Sequence, residues 1–302
     1  MMKENNKIVF LGGDKRQYTA ALKISEYGWE SWLWGQEKIG TENVYFAQTL
    51  EKALEGACAV VLPLPASLDG ITLNCIPVEK ERSLRLDDIL HALKGREQII
   101  LIGGKIPPWF IEKANEYNFL CVDYFESEAF QIKNAYITAE AALSIAMNHL
   151  LKTVREARFA VTGYGRISKR LIGLLRMLGA DVTVLARKER DLSSAELDGC
   201  KTISLGGNRC GLREELCGGY DVIFNTVPSL IFDRDFLERV DRDTFMIELA
   251  SAPGGIDVSA ARELSSNVLW ASALPGKYAP QSAGALIAEC VEKILYEGGE
   301  KR

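Results

Sequence analysis

The segment over residues 159–190 constrains the fold of this chain more than any other. It reads FAVTGYGRISKRLIGLLRMLGADVTVLARKER: an apolar strand, a glycine turn, a helix and a second strand over residues 182–186. This order and spacing are typical of the βαβ unit that holds the pyrophosphate of a dinucleotide. An ordinary strand-turn-helix is the alternative for a lone glycine motif, but here each flanking element falls at the expected distance. We therefore predict an α/β fold, with a Rossmann-type doubly wound parallel sheet and a nicotinamide dinucleotide as ligand.

The small residues of this segment have separate tasks. We expect Gly163 to permit the tight turn and Gly165 to let the following helix approach the phosphates closely. Arg166 and Ile167 open that helix, where unpaired N–H groups and the helix dipole favour an anion. Ser168 stands at the third glycine position of the motif, where the helix packs on the strand. The turn and the start of the helix are therefore predicted to contact the cofactor.

The residues after the second strand indicate which dinucleotide binds. An NAD-preferring unit usually carries an acidic residue there, which binds the ribose hydroxyls. This chain has Arg187, Lys188 and Arg190 instead, and a guanidinium can bind a 2′-phosphate in a bidentate way. We predict NADP as the cofactor, with NAD as the alternative, and Arg187 and Lys188 as residues that bind it. A solvated run of charges remains the alternative for Lys188 and Arg190.

The composition is that of a soluble globular protein long enough for two domains. The chain has 302 residues, of which 47% are hydrophobic and 25% charged. A net charge of -5 provides no basic face, so we expect neither nucleic acid nor a membrane as a partner. The seven cysteines are scattered without a CxxC pair, which predicts reduced thiols, a cytoplasmic location and no metal site.

Before the glycine turn, short apolar runs alternate with helical patterns. We predict strands over residues 8–11, 59–64, 98–102 and 119–122, and helices over residues 17–26, 50–55, 86–93 and 108–117. This alternation predicts a smaller, flavodoxin-like α/β domain over residues 1–137. We expect that domain to bind the substrate.

The rest of the chain is predicted to form a bridge and a dinucleotide domain. Residues 138–154 are apolar nearly all round, which predicts a buried helix between the domains. The Rossmann domain would span residues 155–280, with further strands near residues 222–226, 245–249 and 269–273. A final amphipathic helix over residues 281–302 is expected to pack beside the bridging helix and to complete the first domain. We expect substrate to meet the nicotinamide in a cleft at the carboxyl ends of the dinucleotide sheet.

Histidine is scarce, which limits the chemistry. Only His91 and His149 are present, and both precede the glycine turn. A 2-hydroxyacid dehydrogenase normally uses a histidine late in the chain as its proton acceptor, so that class of enzyme is nearly excluded. For His149, inside the predicted bridging helix, a structural role is favoured over a catalytic one. A dihydropyridine suits such a site better, because aromatisation drives its oxidation and little acid-base help is needed.

Six segments extend the pattern over nearly the whole chain. They are GGDKRQ (12–17), NAYITAEAAL (134–143), TGYGRISKRL (162–171), NTVPS (225–229), ELASAPGGID (248–257) and LPGKYAPQSAG (274–284). In this order and spacing the chain resembles the dipicolinate synthase A-subunit family, which makes the pyridine-2,6-dicarboxylate of bacterial endospores during sporulation.

The resemblance implies a specific reaction and a partner. The reaction is the NAD(P)-dependent oxidation of dihydrodipicolinate, a lysine-pathway intermediate, to dipicolinate, and it acts on a CH–CH or CH–NH bond of the dihydropyridine dicarboxylate. The implied partner is the flavoprotein-like B-subunit of dipicolinate synthase. We further expect a homo-oligomer.

Residues of these segments in the first half of the chain suit a dicarboxylate substrate. Arg16 opens the helix after the first strand and could pair with a substrate carboxylate, although a surface cation at a helix start is an equal alternative. Lys105, in a similar GGK turn, is a weaker second candidate. Asn134 and Thr138 are predicted to bind substrate at the start of the bridging helix, and Glu140 is the first choice for a catalytic base if one is needed.

An ordinary helix start explains two of these residues at least as well. Thr138 could be a plain N-cap, and Glu140 a first-turn acid that complements the helix dipole. Both interpretations place these residues in the first turn of the bridging helix.

Turns after the later strands complete the predicted site. The nicotinamide ribose would be walled by Thr226, Val227 and Pro228. A substrate carboxylate would be bound by free N–H groups in the glycine turn that holds Ser251, Gly254 and Gly255. Gly276 leads toward the last helix, whose N-terminus could face the same anion.

Two of the chain's departures from the family pattern remove a cation. Ala252 and Gln281 stand where the family commonly has Arg and Lys, cations that a dianionic substrate would use. Two alternatives therefore stay open. One is a related NADP-dependent oxidoreductase of another cyclic imino or dicarboxylic acid, and the other is a dinucleotide-binding subunit without catalysis.

Overall fold

The chain forms two compact units. The structure is a computed structural model and describes residues 6–36, 43–75, 83–96, 98–206, 216 and 219–300. The first unit comprises Met1–Asn134 and Ala279–Arg302, and the second comprises Ala135–Tyr278. With its C-terminal segment the first unit is slightly longer than the second, not smaller as the sequence predicts. None of the described helices combines the length and the apolar run that a membrane crossing requires.

The first unit is built on a parallel sheet. Its strands are β1 (Lys7–Leu11), β2 (Glu30–Trp34), β3 (Tyr45–Phe46), β4 (Ala57–Val61), β5 (Ile100–Gly103) and β6 (Leu120–Asp123), in the order β3-β2-β1-β4-β5-β6. The connecting helices are α1 (Lys15–Glu26), α2 (Leu50–Leu54), α3 (Leu86–Leu93) and α4 (Pro108–Glu116). Without the two-residue β3, the strand order is the flavodoxin-like one that the sequence predicts.

The second unit has a sheet of the usual Rossmann order. Its strands are β7 (Arg158–Thr162), β8 (Asp181–Ala186), β9 (Lys201–Ser204), β10 (Val222–Asn225), β11 (Phe245–Glu248) and β12 (Val268–Trp270), ordered β12-β11-β10-β7-β8-β9. Its helices are the C-terminal part of α5 (Glu128–His149), followed by α6 (Arg166–Met177), α7 (Glu189–Leu197), α8 (Arg234–Arg239), α9 (Val258–Glu263) and α10 (Leu274–Tyr278). The order reverses between β7 and β10, which is where such sheets bind ligands.

Burial explains why these segments are strands. Every residue of β1 and β10 is buried, as are four of the five residues of β7. Parallel strands covered on both faces read as continuous apolar runs, and this is the pattern from which the sequence predicts them. Three strands were missed, β2, β3 and β9. In β2 buried Ser31 and Leu33 alternate with half-buried residues, and β9 has two exposed and two half-buried residues, so neither forms a buried apolar run.

The last helix, α11 (Pro280–Glu300), packs along α1. A Cβ built at Gly284 would lie 2.5 Å from the Thr19 Cβ and 2.6 Å from the Arg16 carbonyl oxygen, so this close approach depends on glycine. The last helix belongs to the first unit, as expected. Its main packing partner is α1 and not the bridging helix beside which it was expected, although Lys133 of α5 pairs with Glu289. The bridging helix itself is α5, which begins and ends earlier than the predicted 138–154.

Candidate functional site

The glycine turn between β7 and α6 requires glycine at its first position. Gly163 has a φ of +82°, and a Cβ there would lie 2.8 Å from Thr226 Oγ1 and 2.9 Å from Val227 Cγ2. Any side chain would therefore be strained and would collide with the loop after β10. The Gly163 N–H donates to the Leu185 carbonyl oxygen at 2.7 Å, which ties the turn to β8.

The second glycine of the turn faces open space. Gly165 is the N-cap of α6, and a Cβ built there would have no neighbour within 4 Å outside its own helix and adjacent residues. Backbone N–H groups at a helix N-terminus attract anions. Arg166 is exposed and Ile167 half-buried at this helix start, whereas Ser168 is fully buried against the sheet. The turn thus leaves room for a phosphate at the N-terminus of α6.

A pocket of about 310 Å³ opens beside this turn, within the second unit. It lies between the end of β8 and the loop after β10, at the carboxyl ends of the strands. Its lining includes Gly163, Ala186, Arg187, Lys188, Val227 and Ile231. The pocket has the position and the mixed apolar and polar lining that suit the adenosine half of a dinucleotide.

Among the residues that the structure describes, two cations and one carboxylate line this pocket. Arg187 and Lys188 are exposed, and Asp191 lies in the first turn of α7. The Arg190 side chain is 77% exposed, and its Nε lies 3.4 Å from Asp191 Oδ1. Arg190 therefore pairs with this carboxylate, and within the described part of the chain Arg187 and Lys188 are the cations that face the pocket.

Hydrogen bonds join the loop after β10 to the glycine turn. Thr226 Oγ1 donates to the Thr162 carbonyl oxygen at 2.6 Å, and the Thr226 N–H donates to Thr162 Oγ1 at 3.2 Å. The Ser168 and Thr226 hydroxyls are 2.8 Å apart and hydrogen-bonded. Val227 lines the pocket and Pro228 is exposed beside it. The structure therefore brings Thr226 and Val227, two residues of the predicted ribose wall, to the glycine turn.

A buried carboxylate organises the turn after β11. Glu248 is 3% exposed. Its Oε1 accepts from Asn225 Nδ2 at 2.7 Å and the Ala250 N–H at 2.9 Å, and its Oε2 from the N–H groups of Gly255 and Ile256 at 2.8 and 3.1 Å. Sequence reasoning did not single out Glu248 or Asn225. The signal that could have found them is a polar residue at the end of an otherwise apolar strand.

The prediction of free N–H groups in this glycine turn is therefore wrong. The Gly255 N–H is taken by Glu248, and the Gly254 N–H donates to the Ser251 carbonyl oxygen at 2.9 Å. Both glycines are buried, and Ser251 is exposed. A carboxylate of the protein occupies the donors assigned to a substrate carboxylate. Gly276 likewise lies within α10, where its N–H donates to the Ala273 carbonyl oxygen at 3.2 Å.

In the first unit Arg16 is buried, which excludes its interpretation as a surface cation. Its Nε lies 2.9 and 3.1 Å from the Asp14 carboxylate oxygens, and its Nη2 donates to the Leu64 carbonyl oxygen at 2.6 Å. Burial alone would raise the pKa of Asp14, but the hydrogen bonds and charge of Arg16 outweigh it and hold that pKa below its usual value. The guanidinium is thus fixed in place, with Nη1 as the nitrogen that these bonds do not use.

Lys105 lies in the corresponding turn after β5. It has a φ of +51°, and its N–H donates to Asp123 Oδ1 at 3.1 Å. Its ammonium nitrogen lies 4.7 Å from the centroid of the Phe125 ring. Burial raises the pKa of Asp123, although the backbone N–H groups around it act in the opposite direction.

The predicted roles of Thr138 and Glu140 at a helix start are wrong. α5 begins at Glu128, so both residues lie inside the helix, where they neither cap it nor complement its first turn. Thr138 is buried, Asn134 is half-buried and Glu140 is exposed. The residues before Thr138 were not recognised as helical because they mix charged and apolar side chains.

Glu140 belongs to a different surface from the dinucleotide pocket. Its carboxylate hydrogen-bonds with Tyr136, an interaction that raises the pKa of Tyr136. It borders a groove between α5 and α6 with Ser144, Leu174 and Met177. The assignment of Glu140 as a base therefore stays a prediction, without support from the position of the side chain.

His149 has the contacts of a structural residue. Its ring stacks on Phe245 with centroids 3.8 Å apart, and its Nε2 lies 3.1 Å from Asn267 Nδ2. Within the described residues, no group of three or more His, Cys, Asp or Glu side chains is arranged to hold a metal ion.

The described cysteines are all free thiols: Cys58, Cys75, Cys121, Cys200 and Cys290. Burial raises the pKa of Cys121 to about 12 and that of Cys290 to about 11, which keeps both protonated near neutral pH. Cys210 and Cys217 lie outside the described residues.

Comparison with known proteins extends the resemblance. Residues 7–125 match the family model for the N-terminal domain of the dipicolinate synthase A-subunit. The chain is 27% identical over 293 residues to the dipicolinate synthase A-subunit of Bacillus subtilis (strain 168), covering 96% of each.

Solved structures agree with this match. The crystal structure of the dipicolinate synthase A-subunit from Bacillus halodurans has a TM-score of 0.81 and 26% identity, covering 96% of this chain and 98% of that one. A transhydrogenase from Sinorhizobium meliloti, 14% identical, has a TM-score of 0.62 over 95% of this chain and 93% of its own, and so shares the fold.

Proposed function

The chain belongs to the dipicolinate synthase A-subunit family, and we propose that it oxidises dihydrodipicolinate to dipicolinate with NADP as the hydride acceptor. The observation that carries this proposal is the open glycine turn of the second unit, with the cations at the end of β8 beside it. Fold and family support a dinucleotide-binding subunit of dehydrogenase type. The substrate and the preference for NADP are our inference.

The residues of the second unit fit a dinucleotide. The space at Gly165 and the N-terminus of α6 suit the pyrophosphate, and the 310 Å³ pocket suits the adenosine. Thr226 and Val227 would hold the ribose nearer the nicotinamide. When bound, the nicotinamide supplies a hydride acceptor.

The charges at the end of β8 favour NADP over NAD. No acidic residue follows β8 directly, and Arg187 and Lys188 face the pocket instead. A 2′-phosphate would pair with Arg187 in a bidentate way and with Lys188 as a point charge. Asp191 would oppose the phosphate, but its charge is compensated by Arg190.

The proposed reaction needs little acid-base chemistry from the protein. Loss of a hydride and a proton turns the dihydropyridine into an aromatic pyridine, and the proton can leave to water. This suits a dinucleotide pocket whose lining contains no histidine among the described residues. Glu140 remains the candidate should a base be required.

Arg16 is our candidate for the substrate carboxylate in the first unit. Asp14 and the Leu64 carbonyl hold Nε and Nη2, so Nη1 could bind an anion in a fixed direction. Lys105 is the second candidate, followed by Asn134 and Thr138. We also propose the flavoprotein-like B-subunit as a partner, because the relatives are named as one component of a larger synthase. A homo-oligomeric state is a further proposal.

The direct test is an absorbance assay. Protein mixed with freshly generated dihydrodipicolinate and NADP should produce the absorbance of reduced nicotinamide, and NAD should produce it more slowly. The assay is run with and without the B-subunit. Failure of both cofactors under both conditions would contradict the proposal.

A second substrate class is favoured by one observation. Ala252 and Gln281 replace cations of the family pattern, and Glu248 occupies the N–H donors that could have bound a carboxylate. We therefore include other cyclic imino and dicarboxylic acids in the assay. Faster turnover of one of them would reassign the substrate, and dinucleotide binding without turnover of any would indicate a non-catalytic subunit.

A further inference from the structure

We propose that Glu248 is a positioning residue for the dinucleotide pocket, acting through the loop after β10. The inference rests on the proposed function, because it concerns the same pocket. Glu248 itself does not line the pocket. It holds the backbone that does.

The carboxylate is the acceptor at the centre of a closed network. It is 3% exposed and accepts four hydrogen bonds at 2.7 to 3.1 Å, three of them from backbone N–H groups of the turn after β11. A carboxylate is the only side-chain group with two acceptor oxygens and no donor, so four donors can be satisfied together. Burial of such a charge is tolerated when it is hydrogen-bonded in this way.

The turn after β11 supports one wall of the pocket, which is formed by Ile231 and Phe232. The Gly255 carbonyl oxygen accepts from the N–H groups of Ile231 and Phe232, both at 2.9 Å, and both residues line the pocket. There is no space for a side chain at Gly255, since a Cβ would lie 2.5 Å from Asn225 Nδ2 and 2.7 Å from the Val227 carbonyl oxygen. Displacing Gly255 would therefore displace the wall.

A second path leads from Glu248 to the glycine turn. Asn225 donates to Glu248 Oε1 and also to the Val227 carbonyl oxygen at 3.0 Å. Its Oδ1 accepts from the Thr162 hydroxyl, and Thr162 is bonded to Thr226. One buried carboxylate thus fixes both the turn after β11 and the loop that contacts Gly163.

The test compares Glu248→Gln with Thr244→Val. Gln keeps the size of the side chain but replaces one acceptor oxygen by a donor that faces N–H groups. Thr244 lies just before β11, at the end of the strand opposite Glu248, and its hydroxyl donates to the Tyr220 carbonyl oxygen at 2.8 Å. Thr244→Val therefore removes a buried hydrogen bond that is away from the pocket. We expect E248Q to weaken NADPH binding by at least about tenfold in a fluorescence titration, and T244V to leave it unchanged.

A second readout does not depend on the ligand. Hydrogen exchange of the Ile231 and Phe232 amides should accelerate in E248Q and not in T244V. If wild-type protein bound no dinucleotide, the proposed function would fail, but this exchange result would still test the positioning role. Unchanged exchange, or an NADPH affinity within about twofold of wild type, would overturn the inference.

Two further measurements apply if E248Q does not fold. Gly255→Ala keeps the carboxylate and displaces the wall, so it should reproduce both effects. In wild-type protein, NADPH should slow exchange of the Gly255 and Ile256 amides, although neither residue lines the pocket. Absence of that protection in protein saturated with NADPH would also count against the role of Glu248.

Discussion

Gly163 and Gly165 stand two residues apart, yet a side chain would meet different surroundings at each. At Gly163 the backbone is left-handed and the loop after β10 is in the way, whereas Gly165 has an extended backbone and open space. Gly163→Ala should therefore destabilise the protein by about 1–3 kcal/mol. Gly165→Ala should cost less than about 1 kcal/mol but should weaken NADPH binding at least as much as Gly163→Ala does.

Thermal unfolding and NADPH titration of the two variants separate these effects. A stable G165A variant with wild-type affinity would show that no phosphate lies at the start of α6.

Arg187 and Arg190 form a matched pair for cofactor preference. Both are cations after β8, but only Arg187 lines the pocket, and Arg190 is paired with Asp191. Arg187→Ala should weaken NADP binding about tenfold or more, because a charge-assisted hydrogen bond is worth about 1.5–3 kcal/mol, and should leave NAD binding nearly unchanged. Calorimetric titration of both cofactors measures this, with Arg190→Ala as the control. Equal losses of affinity for NADP and NAD would show that Arg187 does not bind the 2′-phosphate.

Some single residues of the site could be predicted from the sequence, and others could not. The glycine turn and its cations could be predicted because their roles depend on neighbours in sequence. The strand-end position of Glu248 could be noticed in the sequence, but its role could not be predicted, because its partners Asn225 and Gly255 come from another strand and from a turn that meets it only in the fold. The same reason explains the wrong prediction of free donors at Gly255.

At the level of elements, the two sheets begin with similar turns that are used differently. In the first unit the N–H groups of Gly12 and Gly13 donate to the carbonyl oxygens of Trp34 and Asn74, and Asp14 caps α1. In the second unit the N-cap is Gly165, which has no side chain and faces open space. A dinucleotide phosphate is therefore expected only at the turn of the second unit.

Glycines inside two helices allow a prediction about packing. Gly284 of α11 touches α1, whereas Gly173 of α6 is exposed and has no neighbour within 4 Å of a built Cβ. Gly284→Ala should destabilise the protein by about 1–3 kcal/mol through overpacking. Gly173→Ala should stabilise it by about 0.5–1 kcal/mol, because alanine is the better helix former. Denaturant unfolding of both variants tests the pair, and a neutral G284A would argue against the close packing of α1 and α11.

Elements with strong apolar periodicity were predicted well, and α5 was not. Buried runs located β1, β10 and β11 within a residue or two, and the prediction for α3 matches Leu86–Leu93. The first turns of α5 have exposed Ile132, Lys133 and Tyr136 and lack the all-apolar pattern that marked the later part. Its start was therefore placed too late, which also misplaced Thr138 and Glu140.

At the scale of the whole molecule, burial of thiols predicts how stability depends on pH. The pKa of Cys121 is raised to about 12 and that of Cys290 to about 11, in both cases chiefly by burial. An unfolded cysteine has a pKa near about 8.5. Since the folded state binds the proton more tightly, the stabilisation is complete below about pH 8.5 and is lost as pH rises toward these folded values.

The free energy of unfolding should accordingly fall between about pH 8.5 and pH 11. Cys121→Ala should flatten this decline, and denaturant titrations at several pH values measure the slope. An identical slope in wild type and C121A would refute the burial argument for this thiol.

The molecule as a whole joins a dinucleotide-binding unit to a second unit of related topology. We propose that it transfers a hydride from a dihydropyridine dicarboxylate to NADP. Dihydrodipicolinate deuterated at its saturated ring carbons tests it most directly, with mass spectrometry of both products. We predict one deuterium in the NADPH for each dipicolinate formed. NADPH without deuterium, or dipicolinate formed without NADPH, would contradict it.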